Sequence, residues 1–188
     1  MPPGGYTAAA LERLVARQLG RVPSISFEVS VNCEFGWPSV IRSSPIKASG
    51  EPNPNLYYLV CPWLRRELAR LEDSGLIADI EMLLEKDEGL AANTRLAQQD
   101  HTEEFQAALR ACGASVTGRP RLIAGVSYPL KLKCLHAQVA YFMVHTDYEL
   151  GGIIHANVRQ MWCNDSRCSV WMDEIIALDP GAAGDNQA

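Results

Sequence analysis

Leu56-Tyr57-Tyr58-Leu59-Val60-Cys61-Pro62-Trp63-Leu64 is the stretch whose reading decides the fold class. Its first five residues are an aromatic and branched apolar run of the kind that fills a buried strand. Pro62 then stands where a helix tolerates proline, at the first helical position, because an N–H there has no intrahelical acceptor to lose. The segment therefore reads as a strand passing through Cys61 into a helix over Trp63 to Leu71. Leu64, Leu68 and Leu71 share one face of that helix, and Cys61 falls at its N-cap. Upstream, Ile25, Phe27, Val29 and Val31 alternate with Ser24, Ser26, Glu28 and Ser30, the period of a half-buried strand, and Cys33 follows directly. Thr7 can cap an earlier helix running to about Gln18, with Leu11, Leu14, Val15 and Leu19 as its stripe and Gly20 as a left-handed stop. Val40-Ile41 is a short apolar run, and Pro45 to Asn55, rich in Pro, Ser, Gly and Asn, reads as a loop.

Downstream, helical spacing takes over. Leu76 to Glu85 follows Gly75 with Ile77, Ile80, Leu83 and Leu84 inward. Gly89 breaks the pattern, and a more polar helix over Ala91 to Cys112 is anchored by Leu96, Phe105 and Leu109. Gly113 to Pro120 is a connection, and Leu122 to Val126 a short strand or irregular lead-in to a helix from about Leu130 to His145. Gly151-Gly152 reads as punctuation before a helix over Ile153 to Trp162, and Ser169 to Leu178 is the last helix. The expectation is a single α+β domain over residues 1–178, helix-rich overall, with a small sheet from the N-terminal third covered by six or seven helices. Residues 179–188 read as a flexible tail.

With 188 residues, 47% of them apolar, the chain can build a core. Its 17 basic and 22 acidic residues leave a formal charge of -5, which argues against general nucleic-acid or anionic-lipid binding. No apolar run approaches the roughly 18 residues of a membrane span, and the start lacks a cationic-then-apolar leader. A cytoplasmic protein without membrane insertion is expected, its six cysteines kept as thiols for metal binding, redox chemistry or packing. A protein partner is left open.

Four blocks carry a resemblance: Val15-Ala-Arg-Gln-Leu-Gly-Arg-Val-Pro23, Cys33-Glu-Phe-Gly-Trp-Pro-Ser-Val-Ile41, Leu56 to Leu64, and Lys133-Cys-Leu-His-Ala137. In this order and spacing, from about Leu11 to Met161, the chain resembles the bacterial domain-of-unknown-function family 501. The resemblance implies a small cytoplasmic bacterial protein and assigns no reaction. Its cysteine-containing blocks map onto Cys33, Cys61 and Cys134 with His136.

Thiolate and imidazole are ligands for zinc or an iron–sulfur cluster, so Cys33, Cys61, Cys134 and His136 form the candidate metal set. No two of these cysteines make a C-x-x-C knuckle, and the site would have to be assembled by the fold. Cys33 and Cys61 each follow a strand, and the N-cap position of Cys61 favours its thiolate. Cys134 and His136 lie about 200° apart on a regular helix, so both can aim at one ion only if the helix starts near Lys133 or later. Two other readings stand beside the metal site: cysteines that only pack the core of a binding or scaffold protein, and a thiol enzyme with Cys61 as nucleophile. Cys163 and Cys168 can chelate or oxidise, or occupy an exposed C-terminal turn. Cys112 reads as a packing residue, and Asp100-His101 with Glu103 and Glu104 as a solvated face. Arg65-Arg66, Lys131 and Lys133 lie near the candidate thiolates and can hold an anion or stay on the surface. No phosphate loop, dinucleotide fingerprint, nucleophile elbow or zinc-protease helix occurs.

Overall fold

The computed structural model describes residues 5–53, 55–114, 122–179, 181 and 183. The fold is α+β and helix-rich, with one antiparallel sheet in the order β1 (Phe27–Asn32), β2 (Pro38–Ser43), β3 (Tyr57–Leu59) and, among the described residues, seven α-helices. The short apolar run at Val40-Ile41 is the heart of the central strand. It shows no alternation because β2 is buried on both faces, with only Arg42 part-exposed. The β1–β2 turn is closed by Cys33 N–H donating to the Trp37 carbonyl and Gly36 N–H to the Cys33 carbonyl, each at 2.8 Å. Gly36 takes a φ of 80° there, a conformation a side chain would resist.

α1 (Ala8–Leu19) starts on Thr7, whose hydroxyl accepts from Ala10 N–H at 3.2 Å, and stops on left-handed Gly20. α2 (Pro62–Asp73) begins behind Cys61 as expected, and α3 (Leu76–Lys86) follows Gly75. α4 (Glu88–Ala111) starts earlier than the spacing suggests, because the Asp87 carboxylate accepts from Leu90 N–H at 2.9 Å and carries the helix through Gly89. Leu96, read as an anchor of this helix, is instead 56% exposed. Leu90, Ala97, Phe105 and Leu109 face the core.

Two further expectations are corrected. The helix read from Leu130 to His145 shrinks to α5 (Leu135–Phe142), preceded by a single 3-10 turn at Ile123–Gly125 and an irregular approach. The cause is competition for backbone donors: Leu132 N–H goes to Glu81 Oε1 at 2.9 Å and Leu135 N–H to Glu72 Oε1 at 2.6 Å. The Glu72 carboxylate therefore takes the Leu135 N–H that a longer helix would have bonded internally, while Glu81 fixes the approach at Leu132. Gly151-Gly152 do not separate elements but lie inside α6 (Glu149–Ala156). A Cβ at Gly151 would run into the Phe142 Cβ and the Tyr148 ring, so the glycine pair lets α6 lie close against α5. Helix does not extend to Trp162.

α7 (Arg167–Leu178) pairs with α1. The core accordingly has a large part, built from β2, β3 and α2 to α6, and a smaller part in which Ala10, Leu14, Trp37, Cys168, Met172 and Ile175 meet. Asp179 pairs with Arg13 at 2.9 Å, and Ala183 forms an isolated bridge with Tyr6. Most of the rest of the segment read as a tail, and most of the Gly113 to Pro120 connection, lie outside the described residues. No helix among the described residues is long and apolar enough to cross a membrane.

Candidate metal centre

The four residues expected to share one site divide into two groups. Cys61 is the N-cap of α2, whereas the partner that gathers Cys134 and His136 is Glu72, in the last turn of the same helix. Neither the Cys33 nor the Cys61 sulfur joins the ligand atoms of Glu72, Cys134 and His136 that lie within 4.8 Å of one another.

In the first group, Cys134 Sγ, an imidazole nitrogen of His136 and a Glu72 carboxylate oxygen lie within 4.8 Å of one another, and all three are half-buried. The helical objection to pairing Cys134 with His136 disappears because α5 begins only at Leu135. Cys134 is its extended N-cap, with φ −160° and ψ 123°. Glu72 Oε1 sets this geometry by accepting from Leu135 N–H at 2.6 Å and facing His136 Nδ1 at 3.0 Å. His136 Nε2 lies 2.9 Å from the Arg65 carbonyl. A carbonyl only accepts, so Nε2 carries a proton; a carboxylate also only accepts, so Nδ1 carries one as well. Burial pushes His136 down, but the Cys134 sulfur, Glu72 and the Arg65 carbonyl outweigh it and hold the ring up at about 9. Cys134 and His136 open on a groove also lined by Arg21, Arg65 and Lys133.

In the second group, Cys33 and Cys61 do converge, but with Cys163 and Cys168. The four sulfurs line one pocket walled by Phe35, Trp37, Trp63 and Trp162. The exposed C-terminal turn expected at Cys163 and Cys168 is not what forms: Cys168 is buried in the first turn of α7, and Cys163 is half-buried. Cys61 also departs from expectation. Burial pushes its thiol up, more than the Leu64 and Trp63 N–H groups at the helix start pull it down, and the Cys33 and Cys163 sulfurs add to the rise. Burial raises Cys33 likewise and lifts Cys168 to about 11. Cys112, read as a packing residue, is the exposed C-cap of α4.

Glu72 was invisible to sequence reasoning, since one glutamate near a helix end carries no pattern. Glu104, read as part of a solvated face, is half-buried beside Tyr57, Arg42 and His145. Burial would raise its carboxyl, yet those neighbours hold it below the usual range. This network fastens β2 and β3 to α4 and to the residues just after α5.

Fold and geometry thus define a helix-rich α+β protein with two separate groups of cysteine-containing ligand residues. The chain matches the family described as Protein of unknown function (DUF501) over residues 29–156, and it belongs to that family. The matched span contains Cys33, Cys61, Glu72, Cys134 and His136 and ends before Cys163. No curated protein and no solved structure matches the chain.

Proposed function

We propose that this is a cytoplasmic metalloprotein in which Glu72, Cys134 and His136 hold a single ion of the zinc type and an anionic ligand completes the coordination from the cationic groove. The observation that carries the reading is the convergence of three ligand atoms of the right chemistry within 4.8 Å. Sulfur, imidazole nitrogen and carboxylate oxygen with one position left open is the donor set of zinc sites that meet a water or substrate. The Arg65 carbonyl supports it further. A metal-bound imidazole characteristically donates its other ring N–H to a carbonyl or carboxylate, and Nε2 already has that partner at 2.9 Å. Binding would replace the Nδ1 proton by the ion and leave the Nε2–H bond in place.

A thiol-enzyme reading of the same residues fits less well. A Cys–His–carboxylate relay uses one ring nitrogen for the thiol and the other for the carboxylate. Here both ring nitrogens already have oxygen partners, Nε2 the Arg65 carbonyl and Nδ1 the Glu72 carboxylate. Arg21, Arg65 and Lys133 supply the charge to receive a phosphate or carboxylate at the open position.

The test is zinc analysis of the untagged chain together with titration by inorganic phosphate. About one zinc per chain is expected, lost in Cys134→Ser and His136→Gln, with phosphate binding lost alongside. Cobalt substituted into the unmutated protein should show a sulfur-to-metal absorption that Cys134→Ser abolishes. Zinc content unchanged in both variants would overturn the proposal.

A further inference from the structure

The three-stranded sheet has two outer strands, and their edges differ. Along β1 the pairing with β2 slips between Val29 and Asn32, the kind of irregularity that spoils an edge for a further strand, and Glu28 and Ser30 face solvent. β3 keeps a plain antiparallel register, Val40 with Leu59, Ile41 with Tyr58 and Arg42 with Tyr57. Ser43 N–H donates to the Leu56 carbonyl and Val60 N–H to the Ser39 carbonyl, each at 2.8 Å. An antiparallel ladder bonds every second residue to its neighbour, so Leu56, Tyr58 and Val60 direct their backbone groups at β2. Those of Tyr57 and Leu59 point the other way, out of the sheet. The Tyr57 carbonyl accepts from Asn55 Nδ2 at 2.9 Å, whereas the Tyr57 N–H and both backbone groups of Leu59 have no hydrogen-bond partner among the described residues.

The groove that holds Cys134 and His136 runs along this edge, with a volume of about 420 Å³ in the range of small-ligand sites. Its lining comes from both faces of the sheet, which a groove can collect only at an edge. Tyr58 packs toward α1 with Leu19, and Tyr57 packs the opposite way, its ring against Tyr141 and His145. Leu19, Arg21 and Tyr58 line the groove from the first side, and Cys134, His136 and Ala137 from the second. Tyr57 and Leu59 line it as well, so the outward backbone groups of β3 give onto it.

Charge selects the occupant. Arg21, Arg65 and Lys133 meet no carboxylate among the described residues, although cations close by in the chain do: Arg17 pairs with Glu174 and Lys131 with Glu81. Arg65 Nη1 is held by the Gln18 carbonyl at 2.8 Å, which fixes the guanidinium without neutralising it. A free strand edge beside unpaired cations suits an extended chain that carries negative charge. The edge is short, three residues or about 10 Å, and Asn55 already occupies one of its carbonyls. It therefore suits the end of a chain better than a segment that must enter and leave, and the cations select the carboxyl end over the amino end.

We propose that the edge of β3 recognises the carboxyl end of an extended peptide, which adds as a short strand beside Tyr57–Leu59 and sets its terminal carboxylate among Arg21, Arg65 and Lys133. The Tyr57 and Leu59 N–H groups and the Leu59 carbonyl supply two donors and one acceptor for the pairing, and the peptide side chains alternate between the α1 and α5 sides. The carboxylate is then the anion that completes the site of Glu72, Cys134 and His136, and to that extent the assignment rests on the metal reading. Backbone pairing and the three cations hold the peptide without an ion as well.

The experiment is fluorescence polarisation on the full chain with N-terminally labelled peptides Gly-Thr-Val-Thr-X, every residue type in turn at X, each made as the free acid and as the C-terminal amide. The β-branched residues favour an extended backbone. At least one acid should bind ~10-fold or more tightly than its amide. Arg21→Gln with Lys133→Gln, both at exposed positions, should remove that preference. A single N-methyl group moved along the peptide backbone reads the pairing: it should abolish binding at every second residue and be tolerated between, because only alternate residues of an added strand bond to β3. Attraction between charges alone gives no such alternation. Zinc is measured on the same samples, and in Cys134→Ser the preference for acid over amide should survive the loss of zinc. Zinc without peptide binding therefore overturns only the peptide site, and peptide binding without zinc overturns only the metal site. Acids that bind no better than amides, N-methyl groups that act alike at every position, inorganic phosphate bound where no peptide binds, or a dimer of the chain that excludes the peptides would each overturn the assignment.

Discussion

The two ligand groups are built on opposite principles. Around Glu72, Cys134 and His136 the polar contacts are complete without an ion: one carboxylate oxygen serves a backbone N–H and an imidazole, and the imidazole's other nitrogen serves a carbonyl. Around Cys33, Cys61, Cys163 and Cys168 the surroundings are apolar and aromatic, and burial opposes charge on three of the thiols. The first group is held as a hydrogen-bonded network that an ion can enter by displacing one proton. The second is held by apolar and aromatic packing around its thiols. Removing a polar partner should therefore cost the metal-free fold more at the first group than at the second.

The largest effect on the metal-free chain is expected at Glu72. Glu72→Ala leaves the Leu135 N–H and a charged imidazole without their acceptor in half-buried surroundings, and should cost about 3 kcal/mol in urea unfolding. Glu72→Gln should recover part of that loss, since an amide oxygen can still accept from Leu135. A loss under about 0.5 kcal/mol for the alanine variant would mean the network does not organise this end of α5.

A smaller and graded effect follows from His136. Its folded-state value of about 9 lies above the ordinary 6.5, so the charged ring contributes stability that is complete below about 6.5 and lost as pH rises through about 9. The groups responsible are Glu72 and the Arg65 carbonyl on α2 and the Cys134 sulfur at the start of α5. Unfolding midpoints of chelator-treated protein should fall across that window, and His136→Gln should flatten the curve. A slope unchanged in the variant would place the titrating group elsewhere.

At the second group, Gln18 gives the next step down. Its amide donates to the Pro38 carbonyl at 2.9 Å and to Cys168 Sγ at 3.3 Å, both buried. Gln18→Leu keeps the volume but removes the buried side-chain donor to the Pro38 carbonyl, for a loss of about 1 kcal/mol. A loss as large as that of Glu72→Ala would erase the contrast between the two groups.

What was legible in the sequence follows the range of the interactions involved. Thr7, Gly20 and Pro62 mark element ends through their own backbone chemistry, and the helices they bound form where expected. The β1 alternation was readable because one face is covered, while β2, covered on both, left only Val40-Ile41 as a trace. The start of α5 was misread because a distant carboxylate, Glu72, takes the Leu135 N–H that local spacing assigns to a helix, and Glu81 holds the approach at Leu132. The same long-range contacts decide the sites. Cys134 and His136 could be picked out as a pair, but their third partner is sixty-odd residues away with no motif. Cys33 and Cys61 were recognised by their strand ends, whereas Cys163 and Cys168 are brought to them by α7 packing on α1 and by two indole bonds, Trp37 to Ser169 Oγ and Trp63 to the Gln160 carbonyl.

The smallest effect on stability separates exposure from burial among the thiols themselves. Cys112 caps α4 on the surface, so Cys112→Ala should change the unfolding free energy by no more than about 0.5 kcal/mol and leave metal content alone. Cys61 has the same atoms in the opposite setting, 7% exposed and with its thiol pushed up by burial despite its place at a helix N-terminus. Only the thiolate attacks iodoacetamide, so native metal-free protein at neutral pH should be alkylated at Cys112 first, and at Cys61 only after denaturant opens its pocket. Mass spectrometry of a short alkylation time course reads both positions in one sample. Labelling of Cys61 at the pace of Cys112 would mean that the pocket stands open in the metal-free chain or that the helix N-terminus outweighs burial. In the second case Cys61 would be a reactive thiol rather than a packing residue.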